Sequence, residues 1–148
     1  MNKIKQWGID KVQGSDKDIN IKVGSYVRRI RPVVDKIVTN FALIDVIRYI
    51  KVMPEDLYAS SEINVGRVKT PITKPHHPTA IGVSIMFFFE YKEVQFYEMN
   101  SPIKGYGSKM TDAVMSALPK GWKAFILMDW SGGFWRKMVK MYSNLKIM

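Results

Sequence analysis

The chain predicts a single-domain protein built on a mixed α/β sheet, and three observations predict it. Two neighbouring runs, IGVSIMFFF (81–89) and VQFYEM (94–99), are rich in β-branched and aromatic residues and are parted by the polar EYKE, which is the pattern of a hairpin. A helix, a short apolar strand and a second helix follow in that order, the alternation that adds parallel strands to a sheet. The third observation is size: 148 residues, 47% hydrophobic and 24% charged, suffice for one packed core and are too few for two.

Taken in order, residues 1–24 are polar and glycine-punctuated and read as an N-terminal arm or edge strand, with a short strand at INIKV (19–23). Residues 25–148 read as the single domain. From Pro32, a favoured first helical residue, the segment 32–52 carries Val33, Ile37, Phe41, Ile44, Ile47 and Ile50 close to helical spacing, so one long, mostly buried helix is predicted. PEDLYASS (54–61), with acidic residues first, predicts a further helical turn. INVGRVKTP (63–71) predicts a strand, and PITKPHHPTA (71–80), with its prolines, a loop.

In SPIKGYGSKMTDAVMSAL (101–118), Met110, Ala113, Val114, Ala117 and Leu118 form one apolar helix face, ended by the proline and glycine of PKGW. KAFILMD (123–129) suits a buried parallel strand. SGGFWRKMVKMY (131–142) suits a basic amphipathic helix with Ser131 at its N-cap. Trp122, Trp130 and Trp135 fall in this same third of the chain, either as anchors between sheet and helix or as one wall of a pocket.

Composition removes some chemistry. Without cysteine there is no disulfide, thiolate metal site or cysteine nucleophile. His76 and His77 are the only histidines; adjacent residues in a proline-rich loop do not chelate one metal, so no metal centre is expected, and the loop reads as solvated or as the edge of a substrate cleft. The longest apolar run, 81–89, is far below spanning length and no signal-type segment opens the chain, so a cytoplasmic protein without a membrane partner is expected. A formal charge of +10 calls for acidic partners, whether a phosphorylated cofactor, nucleic acid or an acidic protein.

The glycine stretch is where one such partner would bind. Strand, Gly-x-Gly, helix exposes unpaired N–H groups at a helix start, where the macrodipole also favours an anion. Gly105 and Gly107 let the backbone approach a phosphate, with Lys104 and Lys109 adding charge; the alternative is a helix entry that happens to be glycine-rich. Neither a P-loop nor a dinucleotide fingerprint matches.

IKGYGSKM, followed by a helix, a strand and DWSGGFWRKM, resembles the acetyl-CoA-binding half of the GNAT (Gcn5-related N-acetyltransferase) superfamily over about residues 80–142. The resemblance implies a GNAT-like acyl-CoA N-acyltransferase fold with a shortened C-terminal hairpin, the family's last hairpin being reduced to LKIM. It implies that Ile103, Lys104, Gly105, Tyr106, Gly107, Ser108 and Lys109 hold the pyrophosphate of acetyl-CoA or another acyl-CoA. Met99, Asn100 and Ser101 would pair with the pantetheine arm, strand 123–129 would splay away to admit the thioester, and Trp135 would stand beside the cofactor. Glu93 or Glu98 would be the general base for an unidentified amine, with Tyr142 as the acid toward the leaving sulfur. This sequence departs from the family at Pro102, where Gln or Arg is usual, at Trp135, where many members have tyrosine, and at Val139, where glycine is common. The basic surplus over 120–148, six cations against Asp129 alone, raises the alternative of an inactive GNAT-like fold acting as a basic nucleic-acid-, tRNA- or protein-binding protein. An exposed sheet edge would also suit a homodimer.

Overall fold

A computed structural model of the chain describes residues 5–9 as backbone and residues 21–67, 69–129 and 131–148 in full. The protein is mixed α/β. Strands β1 (Lys5–Ile9) and β2 (Ile21–Ser25) precede helix α1 (Pro32–Ala42), and β3 (Tyr49–Val52), β4 (Asp56–Ser60), β5 (Gly82–Phe88) and β6 (Glu93–Asn100) follow. Helix α2 (Tyr106–Met115), β7 (Lys123–Ile126), α3 (Phe134–Met141) and β8 (Leu145–Ile147) complete the described elements. The strands lie in chain order in one sheet. Pairing is antiparallel from β3 through β6 and between β1 and β2. It is parallel for β2 with β3, β6 with β7 and β7 with β8, each of these crossovers carrying one helix.

Strand alternation divides the sheet's side chains into two sets. Ile50, Val52, Leu57, Ala59, Val83 and Ile85 share one face and are buried with Phe41 of α1, Met110 and Val114 of α2 and Met138 of α3 in a single core. The other face carries the row Tyr49, Ser60, Gly82, Asn100 and the row Lys51, Tyr58, Ser84, Glu98. The long loop 61–81 folds over that second face: the Ser60 hydroxyl donates to the Ile72 carbonyl at 2.6 Å, and a Cβ on Gly82 would meet that same carbonyl oxygen at 2.3 Å. Only glycine lets the loop lie so close.

The structure corrects several sequence expectations. The segment 32–52 is not one helix: α1 stops at Ala42, and Tyr49–Val52 is a strand with alternating burial, paired on both sides. Isoleucines three apart mimic a helical stripe, but β-branched residues flanked by two waiting strands are worth more in a sheet. PEDLYASS is not helical either; the Met53 N–H donates to the Asp56 carbonyl at 2.9 Å across a Pro54 turn, and Asp56–Ser60 is β4. Among its described residues INVGRVKTP forms only an isolated bridge between Ile63 and Pro71, with Val65 fully exposed. Gly133 rather than Ser131 caps α3, although the Ser131 hydroxyl still accepts the Trp135 N–H at 3.2 Å.

In place of a shortened C-terminal hairpin, a single strand, β8, runs parallel to β7. β2 crosses the boundary drawn between arm and domain, with Ile21 and Val23 fully buried in the core. Ile19 and Asn20 of the predicted strand INIKV, most of the arm and Trp130 lie outside the described residues. Among the described residues no helix is long and apolar enough to cross a membrane.

Candidate functional site

The predicted strand at 123–129 is β7, and its pairing with β6 is short. The register runs Glu93 to Lys123, Val94 to Ala124 and Gln95 to Phe125, and there it stops, while β6 continues to Asn100. Beyond Gln95 the β7 side of β6 therefore has no ladder partner in β7. At this point β6 also carries a bulge: Ser84 pairs with Glu98 and Ile85 with Phe96, leaving Tyr97 as the extra residue. A bulge bends a strand and re-aims its side chains. The gap between the parting strands is a cavity of about 490 Å³, within the range of small-molecule sites.

β6 gives this cavity Phe96, Tyr97, Glu98 and Met99, and β7 with its extension gives Ile126 and Met128. The first turns of α2 and α3 close it, through Gly105, Gly107 and Ser108 on one side and Phe134 and Trp135 on the other. Gly105 is the N-cap of α2 at φ +97°, a left-handed backbone that only glycine adopts without strain. No side chain caps this end, so the early N–H groups of α2 lack intrahelical acceptors where the helix meets the cavity. Gly107 lies against the Phe134 ring, where an added Cβ would come within 3.1 Å of two ring carbons. Trp135 is buried and tilted on Phe96 at 5.0 Å. The cavity's cations are Lys104 and Lys137.

Most of the sequence-predicted site residues line this one cavity: Glu98, Met99, Asn100, Ser101, Ile103, Lys104, Gly105, Gly107, Ser108 and Trp135. Four do not. Glu93 begins β6 opposite Lys123, five residues and about 16 Å of strand from Glu98. Tyr142 donates its hydroxyl to the Asp112 carboxylate at 2.8 Å, tying the end of α3 to α2. Burial and that bond push its pKa up to about 12. Tyr106 points the other way, donating to Asp45 at 3.0 Å, a bond that raises its pKa, while Lys109 sits 4.8 Å over the Tyr106 ring.

Asn100 uses its side chain structurally. Its buried amide donates to the His77 carbonyl at 2.8 Å and the Ala80 carbonyl at 2.7 Å, holding the loop onto β6. The Ser101 hydroxyl is likewise spent on the Ile103 carbonyl at 3.0 Å. Glu98 is held by the buried Thr73, whose hydroxyl donates to its Oε2 at 2.9 Å.

Sequence reasoning missed Thr73, Tyr97, Phe134 and the cavity position of Lys137. Thr73 and Glu98 are 25 residues apart, and only the fold of loop 61–81 brings them together. Lys137 was recognisable as part of the basic helix, and its spacing from Phe134, one turn along, is the signal that would have put both on one side of it. Among the described residues no group of three or more His, Asp or Glu could hold a metal ion.

No protein-family model, no curated protein and no solved structure matches the chain. The functional reading therefore rests on the residues themselves.

Proposed function

We propose that the protein is a GNAT-like N-acyltransferase that takes acetyl-CoA or another acyl-CoA between β6 and β7 and passes the acyl group to an amine. The observation that carries this reading is the parting of two parallel strands beyond Gln95 and Phe125, with a glycine-entered helix opening into the gap. The residues present fit a coenzyme A thioester. The free side of β6 from Phe96 to Ser101 offers backbone donors and acceptors to an amide-bearing arm, as an added strand would use them. Gly105, Gly107 and Ser108 offer N–H groups to a pyrophosphate, and Lys104 and Lys137 offset its charge.

When bound, the thioester supplies an activated acyl carbon; the chain's own residues supply position and proton handling. Glu98, rather than Glu93, is the carboxylate at the cavity, and its hydrogen bond to Thr73 fixes one oxygen, leaving the other for the acceptor's ammonium. Phe96, Phe134 and Trp135 keep water from the acyl carbon.

A second reading, a basic binding protein without turnover, draws on Tyr142. Its hydroxyl is engaged by Asp112 and it does not line the cavity, so it does not stand where the acid of the GNAT resemblance would act. Thermal unfolding with acetyl-CoA tests the first reading against the second. Native protein is expected to gain about 2.7 kcal/mol at a hundredfold excess of ligand over Kd, and a Lys104→Glu/Lys137→Glu variant, altered only at side chains beside the cavity, to gain far less. No gain at millimolar acetyl-CoA, together with salt-sensitive binding of RNA or DNA, establishes the second reading instead.

A further inference from the structure

His76 lies at the mouth of the same cavity on a left-handed backbone, which is uncommon for any residue other than glycine. It follows Pro75 in a turn, it is exposed, and its φ is +67°, in the left-handed region where glycine or asparagine is the ordinary occupant. Such strain persists only where the surroundings over-determine the conformation, and it concentrates at functional sites. Here the surroundings do so on both sides of the residue. Three residues earlier, Thr73 is tied to Glu98 of β6; one residue later, the His77 carbonyl is held by Asn100 of β6. His77 turns its own Nδ1 inward to accept the N–H groups of Thr79 and Ala80 at 3.3 and 3.0 Å, stiffening the turn. Three residues of chain reach at most about 11 Å, so these anchors hold His76 beside β6, lining the cavity that Glu98 also lines.

We infer that His76 is the proton outlet of the acyl-transfer site, an assignment that rests on the acyltransferase reading. The acceptor's ammonium sheds two protons in the reaction. Its nitrogen, once deprotonated, forms the C–N bond with its lone pair as the C–S bond breaks, and the bonding pair leaves on sulfur. One proton ends on that sulfur; the other must leave the cleft. Glu98 receives it from the nitrogen, and the His76 imidazole carries it from Glu98 to solvent. Imidazole is the side chain whose ordinary pKa lies nearest neutral pH, and His76 is the cavity-lining residue that has one. The other titratable groups at the cavity are Glu98 and Tyr97 from β6, Lys104 ahead of α2 and Lys137 from α3, with Lys74 and His77 on the loop itself.

His76→Asn tests the assignment, because asparagine tolerates a left-handed backbone and preserves the turn. The variant is expected to unfold at or above the native temperature and to bind acetyl-CoA within twofold of native. With tyramine, spermidine and a peptide N-terminus as acceptors, kcat/KM at pH 7 should fall about ten- to hundredfold. A second readout is chemical rescue: imidazole added to His76→Asn should restore part of the lost rate, because free imidazole can carry the proton that the variant cannot. Native kcat/KM in His76→Asn, or a loss that added imidazole does not relieve, overturns the assignment while acetyl-CoA binding stands. Loss of acetyl-CoA binding by the native protein sinks the acyltransferase reading and this assignment with it.

Discussion

Gly82 and Tyr142 show what single residues decide. Gly82 opens β5 where loop 61–81 presses the Ile72 carbonyl onto the sheet, and a methyl group there would meet that oxygen at 2.3 Å. A backbone atom cannot swing aside as a side-chain tip can, so Gly82→Ala is expected to lower stability by about 1–3 kcal/mol in urea unfolding. Tyr142 makes a pH prediction. Its pKa is about 12, against an ordinary value of about 10. Between those values the folded chain keeps a proton that the unfolded chain has released, so its contribution is whole below about pH 10 and is lost as pH rises toward 12. Tyr142→Phe should therefore show a shallower fall in stability across that window than native protein; parallel profiles would contradict the raised pKa. Neither residue's role was legible beforehand. Tyr142 sits two helical turns from Trp135, which suggested an acid on the active face, but the hydroxyl's partner is 30 residues away on another helix and no local spacing reveals it.

At the scale of elements, the loop between β4 and β5 matters most, because it brings Pro75 and His76 to the cavity. Asn100 fastens it with two hydrogen bonds from a buried amide. Asn100→Ala would strand both carbonyls, and a cost of about 1–3 kcal/mol is expected, with faster hydrogen exchange confined to residues 75–81; uniform exchange would show that the loop is held by something else. The later elements were legible because their signals are local: Gly105 before α2, the apolar run of β7, the basic face of α3. The earlier ones were not. Ile44, Ile47 and Ile50 carry a helical spacing through a turn and into β3, and only β2 and β4 on either side make residues 49–52 a strand. INVGRVKTP reads as β-prone, yet its described residues make a single bridge, Ile63 to Pro71, outside the named strands.

For the whole molecule, the claim is that a sheet which opens between two parallel strands, and a surface of net charge +10, together make a site for an anionic thioester. Most of the cavity's β6 and α2 lining was foreseen because backbone chemistry at a glycine-led helix start follows from sequence. That residues 71–80 edge a cleft was one of the sequence's two readings of that loop, but its docking on β6 was not legible, since it depends on contacts between residues more than 20 positions apart. Amide NMR during titration with acetyl-CoA tests the claim most directly. Saturable shifts at Tyr97, Met99, Gly105, Gly107 and Ser108, with Glu93 and Val94 unmoved, are the predicted result. Shifts centred instead on the groove of Asn40, Asp45 and Asp112 between α1 and α2, or none at millimolar ligand, would contradict it.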